Sequence, residues 1–167
     1  MSDQAANGQD QQGGANALPI NVLVQYVKDF SFENPNAPQS LLPSEVQPQV
    51  GIGVDVGVRA VGEEVFEVML NLRAEAKAGE NTQFLVDLSY GGLFQLVGVP
   101  EEHQHAVLFI EGSRLLFPFA RSIVADATRD GGYPPLMINP IDFTDLYRRK
   151  LAESQAQPGE QPQQPPF

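Results

Sequence analysis

The chain has 167 residues, 42% of them hydrophobic, with ten Lys+Arg against 21 Asp+Glu, a formal charge of −11, and no Cys. The missing Cys excludes a disulfide framework, a thiolate metal site and a Cys nucleophile. The acidic balance disfavours nucleic acid and anionic membrane as partners and favours basic ones. No apolar run has the length of a membrane span, and no basic-then-apolar leader opens the chain, so the cytoplasm is the expected location.

Residues 1–17 hold no aliphatic side chain larger than Ala after Met1, and residues 152–167 are mostly Gln, Pro, Ala, Gly and Glu. Neither tail can bury enough surface to order itself, so both are expected to be disordered. Residues 18–151 remain as one domain. Its charge is uneven: residues 18–112 carry 4 basic and 13 acidic side chains, residues 113–151 carry 6 and 4.

The first structured run, Ile20 to Glu33, places Ile20, Val22, Val24, Tyr26, Lys28, Phe30 and Phe32 at even positions and ends its odd positions in Asp29, Ser31 and Glu33. Period two predicts a strand with one mainly apolar face. Pro35 and Pro38 end it. A second strand alternates Val50, Ile52, Val54, Val56 and Val58 with Gly51, Gly53, Asp55, Gly57 and Arg59, and Gly62-Glu63 reads as a hairpin turn. A third alternates Phe66, Val68, Leu70, Leu72 and Ala74 with Glu67, Met69, Asn71, Arg73 and Glu75. After the turn at Gly79-Glu80-Asn81-Thr82, a fourth sets Phe84, Val86, Leu88 and Tyr90 against Leu85, Asp87 and Ser89. Short turns between such strands predict an antiparallel sheet with one buried and one wetter face.

The period changes after Pro100. Glu101 and Glu102 open an apolar segment reaching Leu116, Pro118 suits the first turn of a helix, and Gly131-Gly132 stops it. Asp142 reads as the N-cap of a last helix with Phe143, Leu146, Tyr147 and Leu151 on one face. Strands first and helices second predict an α+β fold.

Catalytic machinery is not visible. Gly51, Gly53 and Gly57 lie on one strand face without the spacing of a nucleotide fingerprint, and Ser113 lacks the flanking glycines of a nucleophile elbow. His103-Gln104-His105 beside Glu101 and Glu102 offers ligand-type atoms, but no second ligand cluster exists, so no metal is expected. A small hydrolase using either His has nothing else to support it. Two features remain. Asp29 and Glu33 are four apart and Leu85 and Asp87 two apart, so each pair shares the side opposite its strand's apolar set. This is either a solvated face or an acidic docking patch with one apolar member. The aromatics of the sheet half are core residues or, in part, the lining of a groove.

Four segments then carry a resemblance. The run Asp29 to Pro38, Gly91-Gly92-Leu93-Phe94, the run Leu116 to Arg121 and the run Pro135 to Phe143 occur, in order across about residues 20–151, as in the SecB family of protein-export chaperones. The resemblance implies a four-stranded antiparallel sheet with a long helix and a shorter C-terminal helix packed on one face. It implies a homotetramer built as a dimer of dimers. It further implies an ATP-independent holdase, without cofactor, that keeps precursor proteins unfolded and delivers them to the motor SecA. Asp29, Glu33, Leu85 and Asp87 match the face that receives SecA's basic tail. Val50, Ile52, Val54, Phe84 and Leu146 match the client groove. Val46 precedes Gln47-Pro48 where some members carry Trp. The competing expectation is an acidic-faced adaptor or assembly module with no client-holding activity.

Overall fold

The computed structural model describes residues 19–156. Four strands form one antiparallel sheet: β1 (Ile20–Glu33), β2 (Gln49–Gly62), β3 (Val65–Ala78) and β4 (Asn81–Leu96), in the order β1-β4-β3-β2. The meander β2-β3-β4 turns through two tight loops. The first is Glu63-Glu64, one residue later than the sequence suggests, with Glu64 at φ 55°. β1 lies beside β4, so the connection 34–48 carries the chain from one sheet edge to the other.

The alternation holds through β2, β3 and β4. Val56, Val68, Leu70, Leu72, Val86 and Leu88 are each at most 2% exposed and point to one face. Burying each such side chain contributes roughly 1.5–3 kcal/mol. β1 departs from strict period two. Its register against β4 shifts between Val22 and Val24 and again between Val27 and Asp29. A bulge inserts one residue and turns the following side chains over. Between the two bulges Val24 and Tyr26 therefore face away from the core, where the even-position pattern placed them with Phe30 and Phe32. The second bulge restores the parity.

The helices cover the even face. α1 (Glu101–Val107) continues through a π turn, Leu108–Gly112, into α2 (Ser113–Asp130). Pro118 thus sits inside a helix rather than at its first turn. It is tolerated because it is exposed, so the carbonyl deprived of its partner faces water. At the π turn the helix lies close on the sheet: a Cβ on Gly112 would stand 2.9 Å from Val68 Cγ2. Leu108, Phe109, Leu116, Ala120 and Val124, none more than 1% exposed, fill the interface. The helix ends in a Schellman closure, Gly132 N–H donating to Arg129 O and Tyr133 N–H to Thr128 O, with Gly132 at φ 94°. α3 (Phe143–Ala156) opens with Asp145 N–H donating to Asp142 Oδ1 at 2.9 Å, the N-cap expected. That bond lowers the Asp142 carboxyl below its ordinary range. Phe143 is buried edge-on against Phe117. α3 takes in Ala152–Ala156, which the sequence boundary assigned to the C-terminal tail. Residues 1–18 and 157–167, the bulk of both expected tails, lie outside the described residues.

Candidate functional site

The sheet face without helices gathers the acidic set. Glu33 stands opposite Leu85 and Asp29 opposite Ser89 across the β1–β4 ladder. Asp87 stands opposite Ser31 on one side and Arg73 on the other, with Arg73 Nη1 3.7 Å from Asp87 Oδ2. Four residues from two strands distant in sequence therefore make one patch. Asp29, Glu33 and Asp87 are exposed and Leu85 is half-buried. Register adds one carboxylate that the sequence reading did not include, Glu75 opposite Leu85, whereas Asp55 on the far edge strand β2 is paired with Lys150 Nζ at 2.7 Å. Strand pairing is the missing signal, because no single strand shows which positions become neighbours.

The other half of this face holds a buried carboxylate. Glu67 is only 6% exposed and accepts hydrogen bonds from Tyr26 Oη and Arg59 Nε, with Lys28 Nζ 3.8 Å away. The Arg59 bond, then the Tyr26 bond, hold its carboxyl down to about 2. Burial, followed by the bond to Glu67, pushes the Tyr26 hydroxyl up to about 12. The Tyr26 ring reaches β3 across Gly91, where a Cβ would meet Tyr26 Cζ at 2.9 Å.

On the helix side, the connection 34–48 and the loop after α2 are tied together. The Tyr133 hydroxyl is 2.7 Å from Asn34 Oδ1, 2.8 Å from Ser40 Oγ and 2.9 Å from Gln83 O, and Asn34 Nδ2 donates to Gly131 O. Thr128 Oγ1 accepts Leu136 N–H at 2.9 Å. These bonds frame an apolar cavity of about 220 Å³ lined by Pro48, Val50, Ala76, Phe84, Tyr133 and Leu136, among others. Phe84 is its floor. It is 5% exposed, packed between Phe32 at 6.2 Å and Tyr133 at 5.1 Å between ring centroids. Of the five client-groove residues, Val50 and Phe84 share this cavity. Ile52 continues along the open edge of β2, 43% exposed, and Val54 is half-buried beyond it. Leu146 lies elsewhere, on α3 against the core. Tyr133, Pro48 and Leu136 were not singled out from sequence. For Tyr133 and Leu136 the signal was an apolar, proline-rich run directly after a helix stop.

His103 is exposed, and His105 packs on Phe109 and Tyr147. Among the described residues no three His, Asp or Glu side chains converge as a metal cluster, and no helix is long and apolar enough to cross a membrane.

The family model described as preprotein translocase subunit SecB matches residues 13–154. A protein-export protein SecB of Rhodospirillum centenum is 53% identical over 156 residues, 90% of this chain and 93% of that protein. That of Parvibaculum lavamentivorans is 55% identical over 154 residues, 90% and 92% of the two chains. A solved SecB-like chaperone of Mycobacterium tuberculosis, in complex with a peptide from an antitoxin, superposes with a TM-score of 0.61 at 17% identity. It covers 74% of this chain and 91% of that one, so it shares the fold. With a family model over most of its length and relatives above 50% identity, this chain belongs to the SecB family, a chaperone of protein export and not an enzyme.

Proposed function

We propose that the chain is an ATP-independent cytoplasmic holdase that keeps precursor proteins unfolded and passes them to SecA. The observation that carries the reading is the division of labour between the two sheet faces. Exposed acidic side chains, Asp29, Glu33 and Asp87, surround Leu85 on the bare face. Apolar side chains open toward solvent beside the helices and along the β2 edge, at Val50, Ile52 and the Phe84 cavity. A client held on the second surface leaves the first free for a basic partner.

Extended apolar surface suits many unfolded chains, where a closed pocket suits one ligand. Binding the unfolded state holds it back from folding by mass action, with no hydrolysis required. Release then depends on a partner recruited by the acidic patch, and charge complementarity makes that recruitment fast and salt-sensitive. Val54 and Leu146 complete the client-binding set. A homotetramer, arranged as a dimer of dimers, accounts for the apolar residues left open on the β1 edge and on α2, such as Val24 at 47% and Phe119 at 53% exposure.

The test is aggregation of an unrelated unfolded protein without nucleotide, together with capture of SecA. Suppression with capture supports the reading. Capture without suppression makes the chain an acidic-faced adaptor instead.

A further inference from the structure

The acidic patch on the bare face is only half free. Strand register lays its side chains in rows: Glu33, Leu85 and Glu75 form one, and Ser31, Asp87 and Arg73 the next. Arg73 Nη1 stands 3.7 Å from Asp87 Oδ2, and Lys77 Nζ stands 3.1 Å from Glu75 Oε1. Among the described residues, Asp29 and Glu33 have no ion-pair partner. The β1 half of the patch is therefore unpaired, whereas on the β3–β4 half each carboxylate already holds a cation supplied by β3.

On β2 the two rows end at glycines, Gly51 opposite Glu75 and Gly53 opposite Arg73. A Cβ on Gly51 would meet nothing within 4 Å, and one on Gly53 would meet only Arg73 Cβ, at 3.9 Å. An open trough of about 550 Å³ results, lined by Gly51, Gly53, Arg73, Glu75 and Lys77 among others. On the side away from Asp87, the Arg73 guanidinium thus has room to swing over Gly53 without displacing another side chain. The two members of the pair are 64% and 58% exposed, so the pair is weak enough to exchange readily.

We propose that Arg73, seconded by Lys77, is a built-in competitor for the docking patch: it occupies Asp87 until a basic partner takes its place, and so sets how tightly and how selectively the patch docks. The statement deepens, and rests on, the docking role proposed above for Asp29, Glu33, Leu85 and Asp87. A partner cation arriving at Asp87 replaces one exposed pair by another and gains little there. The gain comes at Asp29 and Glu33, beside the apolar contact of Leu85. A segment with a single cation is thereby disfavoured against one that carries several, which is selectivity by internal competition rather than by added contact.

The experiment is titration calorimetry of the full chain with a peptide of SecA's basic tail at low salt. The variants are Arg73→Gln, Asp87→Asn and the two combined. Arg73→Gln is expected to tighten binding about two- to fivefold, the range open to one exposed pair, and Lys77→Gln to tighten it less. In the Asp87→Asn background the gain from Arg73→Gln should largely disappear, because the carboxylate it frees is gone. Arg73→Thr, which suits a strand, removes the cation a second way and should tighten binding as well. A misfolded variant does not bind more tightly, so the sign of the change separates competition from a structural role. Unchanged or weaker binding in the folded Arg73 variants overturns the proposal. An equal gain with and without Asp87 also overturns it, since that is a general loss of positive charge. Asp29→Lys with Asp87→Lys tests the underlying reading: if this double variant binds the peptide like the parent, the docking role fails and the competition falls with it. If the double variant loses affinity while the Arg73 variants gain none, the competition alone is wrong.

Discussion

Acid should weaken the fold through Glu67 in a way that one substitution isolates. Its carboxyl is held at about 2 against an ordinary value of 4.5, chiefly by Arg59 and then by Tyr26. A depressed carboxyl stabilises the fold above its unfolded value, and that stability drains away as pH falls toward the folded value. Each unit corresponds to about 1.4 kcal/mol, so the charge contributes at most about 3 kcal/mol at neutral pH. The Glu67 side chain is 8% exposed but that of Arg59 is 64% exposed, so water screens part of the attraction and about 3 kcal/mol is an upper bound. Glu67→Gln keeps the shape and an acceptor but removes the charge. Urea unfolding of parent and variant, followed by circular dichroism at a series of pH values from 7 to 2, should show a stability gap of up to about 3 kcal/mol that is constant above about pH 5 and closes between about 4.5 and 2. Comparing the two proteins at each pH cancels the other carboxylates. A gap that stays the same at pH 7 and pH 2.5 would refute the assignment of the charge to this network.

Other outcomes follow from the same geometry. Phe84→Ala removes a buried, stacked ring and should cost about 3–5 kcal/mol in chemical denaturation, as well as weakening client holding; a cost below 1 kcal/mol would mean that Phe84 is not part of the core. Val50→Asp with Ile52→Asp alters two open positions on the β2 edge, so suppression of aggregation should drop while the thermal midpoint moves by only a few degrees. Gly91→Ala places a Cβ 2.9 Å from both Tyr26 Cζ and Met69 Cε, and calorimetry should register a loss of about 1–3 kcal/mol. Asp29→Lys with Asp87→Lys should abolish most of the SecA-tail affinity in titration calorimetry, and raising salt should weaken the parent in the same direction.

Much of the fold is legible in the sequence because β2, β3 and β4 each keep strict alternation, and alternation is a local property. β1 defeats the same rule. Its even positions are apolar except Lys28, yet a bulge before Val24 and another before Asp29 reassign the face of everything between them. Bulges respond to the partner strand; Lys28 breaks the apolar series beside the second, and nothing in Leu23 announces the first. The parity of Asp29 and Glu33 survives because both follow the second bulge. Glu75 was not assigned to the patch for a related reason: it joins through ladder pairing with a strand that the sequence cannot order. The resemblance to a family located Val50 and Phe84, but Tyr133 emerged only from the closure of its loop onto Asn34 and Gln83. Pro118 misled in the opposite way, since helix-start preference is outweighed here by a helix already nucleated at Glu101 and braced on the sheet by Leu108 and Leu116.

The strand order also dictates when the acidic face can first exist. β1 is the first strand to be synthesised and pairs only with β4, the last; Glu33 must wait for Leu85, and Ile20 for Leu96. At about 5–20 residues per second, that delay is on the order of several seconds on a ribosome. During it, the β2-β3 hairpin can close through local pairs, whereas an emerged β1 has no partner strand. A nascent chain therefore has no assembled acidic face before the sheet itself is complete, and on the docking role proposed above a basic partner would be recruited only by the finished fold.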